Sequence, residues 1–199
     1  MNIANQFTSA IALACLSASS HAAAVLYTTS ASFLTHVAAG SYTENFNGLA
    51  DPPPGAVAFS GGAFAYSAFA PSDIYLAGGF LGTSQINEAL TITFAAGNVK
   101  ALGANFYATD ISDTFQAVSM TITLSDGTIE TFTPGTLSDS YRGFVSDVAI
   151  TSLILSGPGG SLYGGLDNLT VGMVVPEPAG WALTGVALAG LFVARRRKP

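Results

Sequence analysis

The sequence predicts an all-β fold, an antiparallel two-sheet sandwich. Three observations predict it. Apolar residues alternate with Ser and Thr at period two in short runs, most clearly over residues 88–94 and 118–124. Glycine is abundant, at 22 of 199 residues, and punctuates those runs. Asp126-Gly127 separates two alternating runs and has the composition of a hairpin turn. The pattern gives eight to ten short strands, the sequence form of a jelly-roll sandwich.

The elements follow in order. Residues 25–29 are β-rich. Residues 30–39 read as one short helix, with Ser30 as N-cap, Phe33, Leu34 and Val37 on one face, and Gly40 as its stop. Residues 41–46 form a strand. Asp51-Pro52-Pro53-Pro54-Gly55 is a loop that no regular element can cross. Residues 59–69, aromatic and glycine-interrupted, give two short strands, and residues 78–82 a turn-rich connection. Leu90, Ile92 and Phe94 alternate with threonines. Residues 99–108 form a strand with Gly103 as a bulge. Val118, Met120, Ile122 and Leu124 alternate with Ser and Thr, and a two-residue turn at Asp126-Gly127 sets Leu124 and Ile129 on one face. Strands over 148–155 and 166–171 complete the set.

The two ends differ from this body. Residues 1–24 read as a secretory signal peptide, with an apolar centre at 11–16 and small residues from Ser20 to Ala24 for cleavage. The one cysteine, Cys15, lies in that segment. The domain at 25–172 therefore has no disulfide, no thiolate metal site and no cysteine nucleophile. Residues 173–199 form a tail in three parts: Pro176-Glu177-Pro178, an apolar helix over about 180–194, and a basic end at 195–198. The run 181–194 carries no charge and one polar side chain, Thr184. As a helix it spans roughly 21 Å, short for a hydrocarbon core of ~30 Å. Side-chain snorkelling by the basic end narrows the gap. Arg195, Arg196, Arg197 and Lys198 stay in the cytoplasm by the positive-inside rule, so the body lies outside.

Composition narrows function. Charged residues are only 9% of the chain, against a usual ~25%. The net charge of -6 hides an asymmetry. Up to Val175 the bases are Lys100 and Arg142, against eleven acidic groups from Glu44 to Asp167. Such a body is unsuited to nucleic acid, because phosphate binding needs basic side chains. It suits an extracellular domain, one able to hold calcium.

The order Pro-Glu-Pro, short apolar helix, Arg-rich end resembles the PEP-CTERM sorting signal of Gram-negative bacteria. The resemblance covers about 25 residues, 174–199. It implies export, anchoring in the inner membrane, and processing near the motif by an exosortase, often beside exopolysaccharide and biofilm-matrix functions. Pro176, Glu177 and Pro178 are then the recognition element, with Arg195, Arg196 and Arg197 as the stop. Physically, the two prolines hold an extended segment outside the membrane, a form a protease site can bind.

The candidate chemistry is sparse. His36, the one histidine beyond the signal peptide, reads as a helix-surface residue. Asp110 and Asp113 lie three apart, which suits acid–base work, calcium or simply a solvated loop. No Gly-x-Ser-x-Gly elbow occurs, and Gly157-Pro158-Gly159-Gly160 is a turn without the Lys and Ser/Thr of a phosphate loop. The body is similar to jelly-roll domains of carbohydrate-binding modules, whose first and last strands are neighbours. That similarity implies a structural calcium held by Glu44 and Asp167, each in one of those strands; the alternative is that Asp167 and Asn168 cap a turn.

Three function classes follow: a non-catalytic surface or exopolysaccharide-matrix protein sorted by its tail; a carbohydrate-binding module; and a glycan-active enzyme, which would need two placed carboxylates. The aromatics Tyr66, Phe69, Tyr75, Tyr107, Tyr141 and Tyr163 are candidates for sugar stacking or for the core. The first class fits best, with exosortase and the inner membrane as partners and polysaccharide as a further one. No catalytic residue is expected.

Overall fold

The computed structural model describes residues 23–176. The early elements are β1 (Val25–Tyr27), α1 (Ser30–Leu34), β2 (Tyr42–Glu44), β3 (Val57–Gly61), β4 (Phe64–Phe69), β5 (Ile74–Tyr75), β6 (Leu81–Thr83) and β7 (Leu90–Thr93). The later ones are β8 (Ala101–Thr109), β9 (Phe115–Gln116), β10 (Met120–Leu124), β11 (Ile129–Phe132), a 3-10 turn at Leu137–Ser140, β12 (Tyr141–Val145), β13 (Ser152–Leu155) and β14 (Tyr163–Gly172). They make two antiparallel sheets, as the alternation predicts. The larger runs β1-β12-β8-β14-β6-β5, with β2 also on β14 and β9 also on β8; the smaller runs β11-β10-β13-β7-β4-β3. From β7 onward the chain passes from one sheet to the other at five of its seven connections.

The period-two residues fill the space between the sheets. Leu90, Ile92, Met120 and Ile122 of the smaller sheet and Leu102, Phe106, Phe144 and Leu166 of the larger are fully buried there. At roughly 25 cal/mol per Å² of apolar surface removed from water, this layer supplies most of the drive to fold. A second, small cluster lies on the outside of the larger sheet. Phe33 of α1 packs there with Ala101 and Tyr141, edged by Tyr27, Val37, Val145 and Val174.

Three local expectations are corrected. The helix is capped by Thr29, not Ser30, and stops at Leu34 instead of reaching Gly40. The reason is competition from the end of the chain. Val37 bridges Val174, Ala38 N donates to Met173 O at 2.8 Å, and Val175 N donates to His36 O at 2.9 Å. Residues 36–38 thus serve as an extended clasp, and Leu34 is left 46% exposed.

The bulge is on β14, not at Gly103. Asp167 pairs with Asn105 and Thr170 with Gly103, so β14 spends one extra residue there. Asn168 takes the left-handed conformation, φ 55°, which Asn tolerates well. The bulge keeps Leu166, Leu169 and Val171 all on the core side. Gly103 has another purpose: a Cβ there would lie 3.1 Å from the Phe33 ring and would also strike the Tyr141 hydroxyl.

The hairpin after β10 has a three-residue loop. Gly127 N donates to Leu124 O, Leu124 N donates to Thr128 O, and Gly127 sits at φ 92°. Ile129 therefore faces Thr123, not Leu124. It is 68% exposed while Leu124 is buried, the face flip that a one-residue slip imposes.

Among the described residues, no helix is long and apolar enough to cross a membrane. The predicted span at 180–194 and all but the last two residues of the predicted signal peptide lie outside the described residues.

Candidate functional site

The outer face of the larger sheet carries an aromatic row. Tyr75 packs edge-on against Phe80, with centroids 5.5 Å apart, and Phe80 against Tyr107 at 5.6 Å. Three glycines, Gly78, Gly82 and Gly165, make room for Phe80. A Cβ at Gly82 would fall 2.8 Å from the ring, and one at Gly165 2.9 Å. Phe80 and Tyr107 are buried, whereas Tyr75 and Tyr163 are half-exposed.

Those two tyrosines line a recess of about 170 Å³ with Thr83, Ser84, Thr109, Asp110, Ile111 and Asp113. Three pieces of chain meet there: the β5–β6 hairpin, the end of β8 with the loop after it, and the start of β14, where Tyr163 pairs with Thr109. The loop is shaped by Asp110. Its Oδ1 accepts from Ser112 N at 2.9 Å and Thr114 N at 3.1 Å, and its Oδ2 from Gln116 Nε2 at 3.0 Å. Asp113 N donates to Asp110 O, and Asp113 is held at φ 58°. The Tyr75 hydroxyl donates to Asp113 Oδ2 at 2.7 Å. That bond, and burial after it, push the Tyr75 hydroxyl up to about 12. The loop tip, Ile111, is 81% exposed beside the carboxylates. The recess can take one ring of a larger ligand, being smaller than the ~300–1,000 Å³ of a usual small-molecule cavity.

A search of protein-family models and of curated proteins finds no match to any part of this chain. The chemistry must therefore be argued from its own residues.

Glu44 and Asp167 are brought onto adjacent strands but not together. Glu44 pairs with Leu169, a core residue, so its side chain is on the inner face of the sheet. Thr43 and Thr170, whose hydroxyls are 2.8 Å apart, mark the outer face. Asp167 is also on the outer face, opposite Asn105. The Glu44 carboxylate accepts from the Tyr42 hydroxyl and, at 3.1 Å, from Phe46 N. It thereby steadies a left-handed turn at Phe46, φ 55°, that drives this ring fully into the core. The Tyr42 hydroxyl is pushed up to about 12 by burial first and then by Glu44. Asp167 accepts from Asn168 N at 2.6 Å and Asn168 Nδ2 at 3.0 Å. Burial raises its carboxyl above the usual range, and the Asn168 N–H partly offsets this. Glu44 and Asp167 thus face opposite sides of the larger sheet, and among the described residues no three His, Cys, Asp or Glu side chains converge.

The other expected residues have plain positions. His36 is exposed after α1, its ring 4.6 Å from that of Tyr27. Tyr66 and Tyr141 are buried, and Phe69 is 46% exposed on the smaller sheet. Pro176 is exposed, one residue past the last backbone hydrogen bond among the described residues. Glu177, Pro178, Arg195, Arg196 and Arg197 lie outside the described residues. Sequence reasoning missed Phe80, Thr83, Ser84 and Thr109. The signal available was Phe80 set among Gly78, Gly79 and Gly82, since an aromatic among glycines marks a ring laid flat on backbone.

Proposed function

We propose that this protein is an exported, non-catalytic component of the cell surface or exopolysaccharide matrix, sorted by its C-terminal tail. In this reading residues 1–24 direct export. A jelly-roll-like body lies outside the inner membrane of a Gram-negative bacterium, and residues 173–199 anchor it until an exosortase cuts at Pro176-Glu177-Pro178. The jelly-roll reading draws support from the repeated passage between sheets after β7.

One observation carries the reading. Among the described residues the last backbone tie to the body is the Val175–His36 hydrogen bond, and Pro176, which has no N–H to donate, is exposed immediately after it. A recognition motif that begins at Pro176 starts on an exposed residue, just past those ties to the body. Mass spectrometry of the mature C-terminus tests it. Native protein should end near the motif, and replacing Pro176, Glu177 and Pro178 with Ala should leave export intact and block trimming. Native protein that still ends at Pro199 in an exosortase-active host would reduce the tail to a plain anchor.

A second reading, a glycan-binding module, is favoured by the half-exposed Tyr75 and Tyr163 beside the Ser84 and Thr109 hydroxyls in one recess. A glycan array on the protein tests it.

A further inference from the structure

The recess between Tyr75 and Tyr163 has a definite chemical character. Resting on the glycan-binding reading, we infer that it holds a single ring of a glycan that carries no acid group, with Asp113 as the acceptor that orients it. Three features lead there. The lining combines tyrosine faces and an exposed aliphatic tip, Ile111, with the hydroxyl residues Thr83, Ser84 and Thr109. A sugar ring matches that mixture, having an apolar C–H face and a rim of hydroxyls.

The two carboxylates have separate duties. Asp110 has both oxygens committed to the loop that shapes the recess. Asp113 gives Oδ2 to Tyr75, and its Oδ1 has no side-chain or backbone partner among the described residues. An ionised carboxylate accepts only, so the group it takes must donate: a sugar hydroxyl or a protonated amine. Asp113 is also preset. Its left-handed backbone, φ 58°, is unusual outside glycine, and the Tyr75 bond fixes its carboxylate. A group fixed before the ligand arrives loses little entropy on binding.

Charge supplies the selectivity. The body has eleven acidic groups against Lys100 and Arg142, and neither base lines the recess. Uronate rings would meet like charge there, whereas neutral rings would not and amine-bearing rings would be attracted.

Titration calorimetry on the full chain in neutral detergent micelles tests this with three probes: a neutral β-glucan oligosaccharide, a protonated glucosamine oligomer, and an oligogalacturonate. The first two should bind and the third should not. Tyr163→Ala should weaken both about tenfold or more. Asp113→Asn, a residue at ease in the left-handed region, should cut binding of the glucosamine oligomer more than that of the glucan. Phe69→Ala, on the other sheet, should change neither. If glycans bind but Tyr163→Ala and Asp113→Asn leave the affinities unchanged, the recess is not the site, although the glycan-binding reading stands. Tighter binding of the galacturonate than of the other two overturns the charge argument. If none of the three probes binds, the recess assignment and the glycan-binding reading fall together.

Discussion

Arg142 and Glu130 join the two sheets from opposite sides of the sandwich. Arg142 lies on β12 and Glu130 on β11, with Nε 3.3 Å from Oε1 and both side chains largely buried. The guanidinium also sits 3.6 Å above the Phe132 ring and donates to Tyr141 O at 2.7 Å. Removing Arg142 leaves a carboxylate in a dry place and strips a cation from an aromatic face. Arg142→Ala should cost about 2–3 kcal/mol, a fall of roughly 5–10 °C in melting temperature for a domain this size. Arg142→Lys should recover little, because an ammonium cannot stack and fork at once. Thermal melts by circular dichroism check both. An alanine variant that melts with the parent would mean the contact adds nothing.

Glu44 is predicted to act on the fold through Phe46. Glu44→Ala strands the Phe46 N–H and loosens the turn that buries its ring. The loss should be about 1–3 kcal/mol, and it should be the same with or without calcium. A chelator should leave the parent's melting temperature unchanged, because Glu44 and Asp167 face opposite sides of the sheet. A fall of several degrees in chelator would restore a metal at one of these residues by mass action.

Asp167 gives a pH signature of known sign. Its carboxyl is raised by burial, so the folded state holds that proton more tightly than the unfolded state does. Stability contributed by the protonated form is therefore lost as pH rises from the ordinary 3.8 through the raised value. Asp167→Asn should melt higher than the parent at neutral pH, by roughly 1–2 °C, and the difference should vanish in acid. Melts across that pH range decide it; a variant that is less stable at neutral pH would show that the charged form is the favoured one.

Much of this was legible. Period-two alternation found both sheets because the core lies between them and each strand buries one face. Two of the misses share a cause: local rules were overruled by contacts from far along the chain. Residues 36–38 carry a helical pattern, but residues 173–175 take their backbone groups. Gly103 looked like a bulge, yet its lack of a side chain serves Phe33 and Tyr141, and the bulge falls on the strand beside it. Ile129 followed the commonest Asp-Gly turn, whereas the chain used the next one. The recess was only half legible. Asp110 and Asp113 stood out by spacing, but no pattern ties them to Tyr75 and Tyr163, which are some 35 to 50 residues away in sequence.

Gly143 gives a packing test of the same principle. A Cβ at that position would lie 2.6 Å from the Phe33 ring. Gly143→Ala should therefore cost about 1–3 kcal/mol by overpacking, and Phe33→Ala about 3–5 kcal/mol by leaving a void. In the double variant the added methyl occupies part of that void, so the combined loss should be smaller than the sum. Denaturant melts measure the coupling; strict additivity would mean that the two residues do not meet.

The clasp at Val175 has a consequence for whatever becomes of the chain beyond it. Among the described residues, every backbone bond that ties the end of the chain to the body is made by residue 175 or earlier. A cut after Pro176 leaves those pairings, and every core side chain among the described residues, in place. The ties that hold residues 23–176 together thus survive such a cut. Adrift, the body would keep every one of the pairings it has when moored.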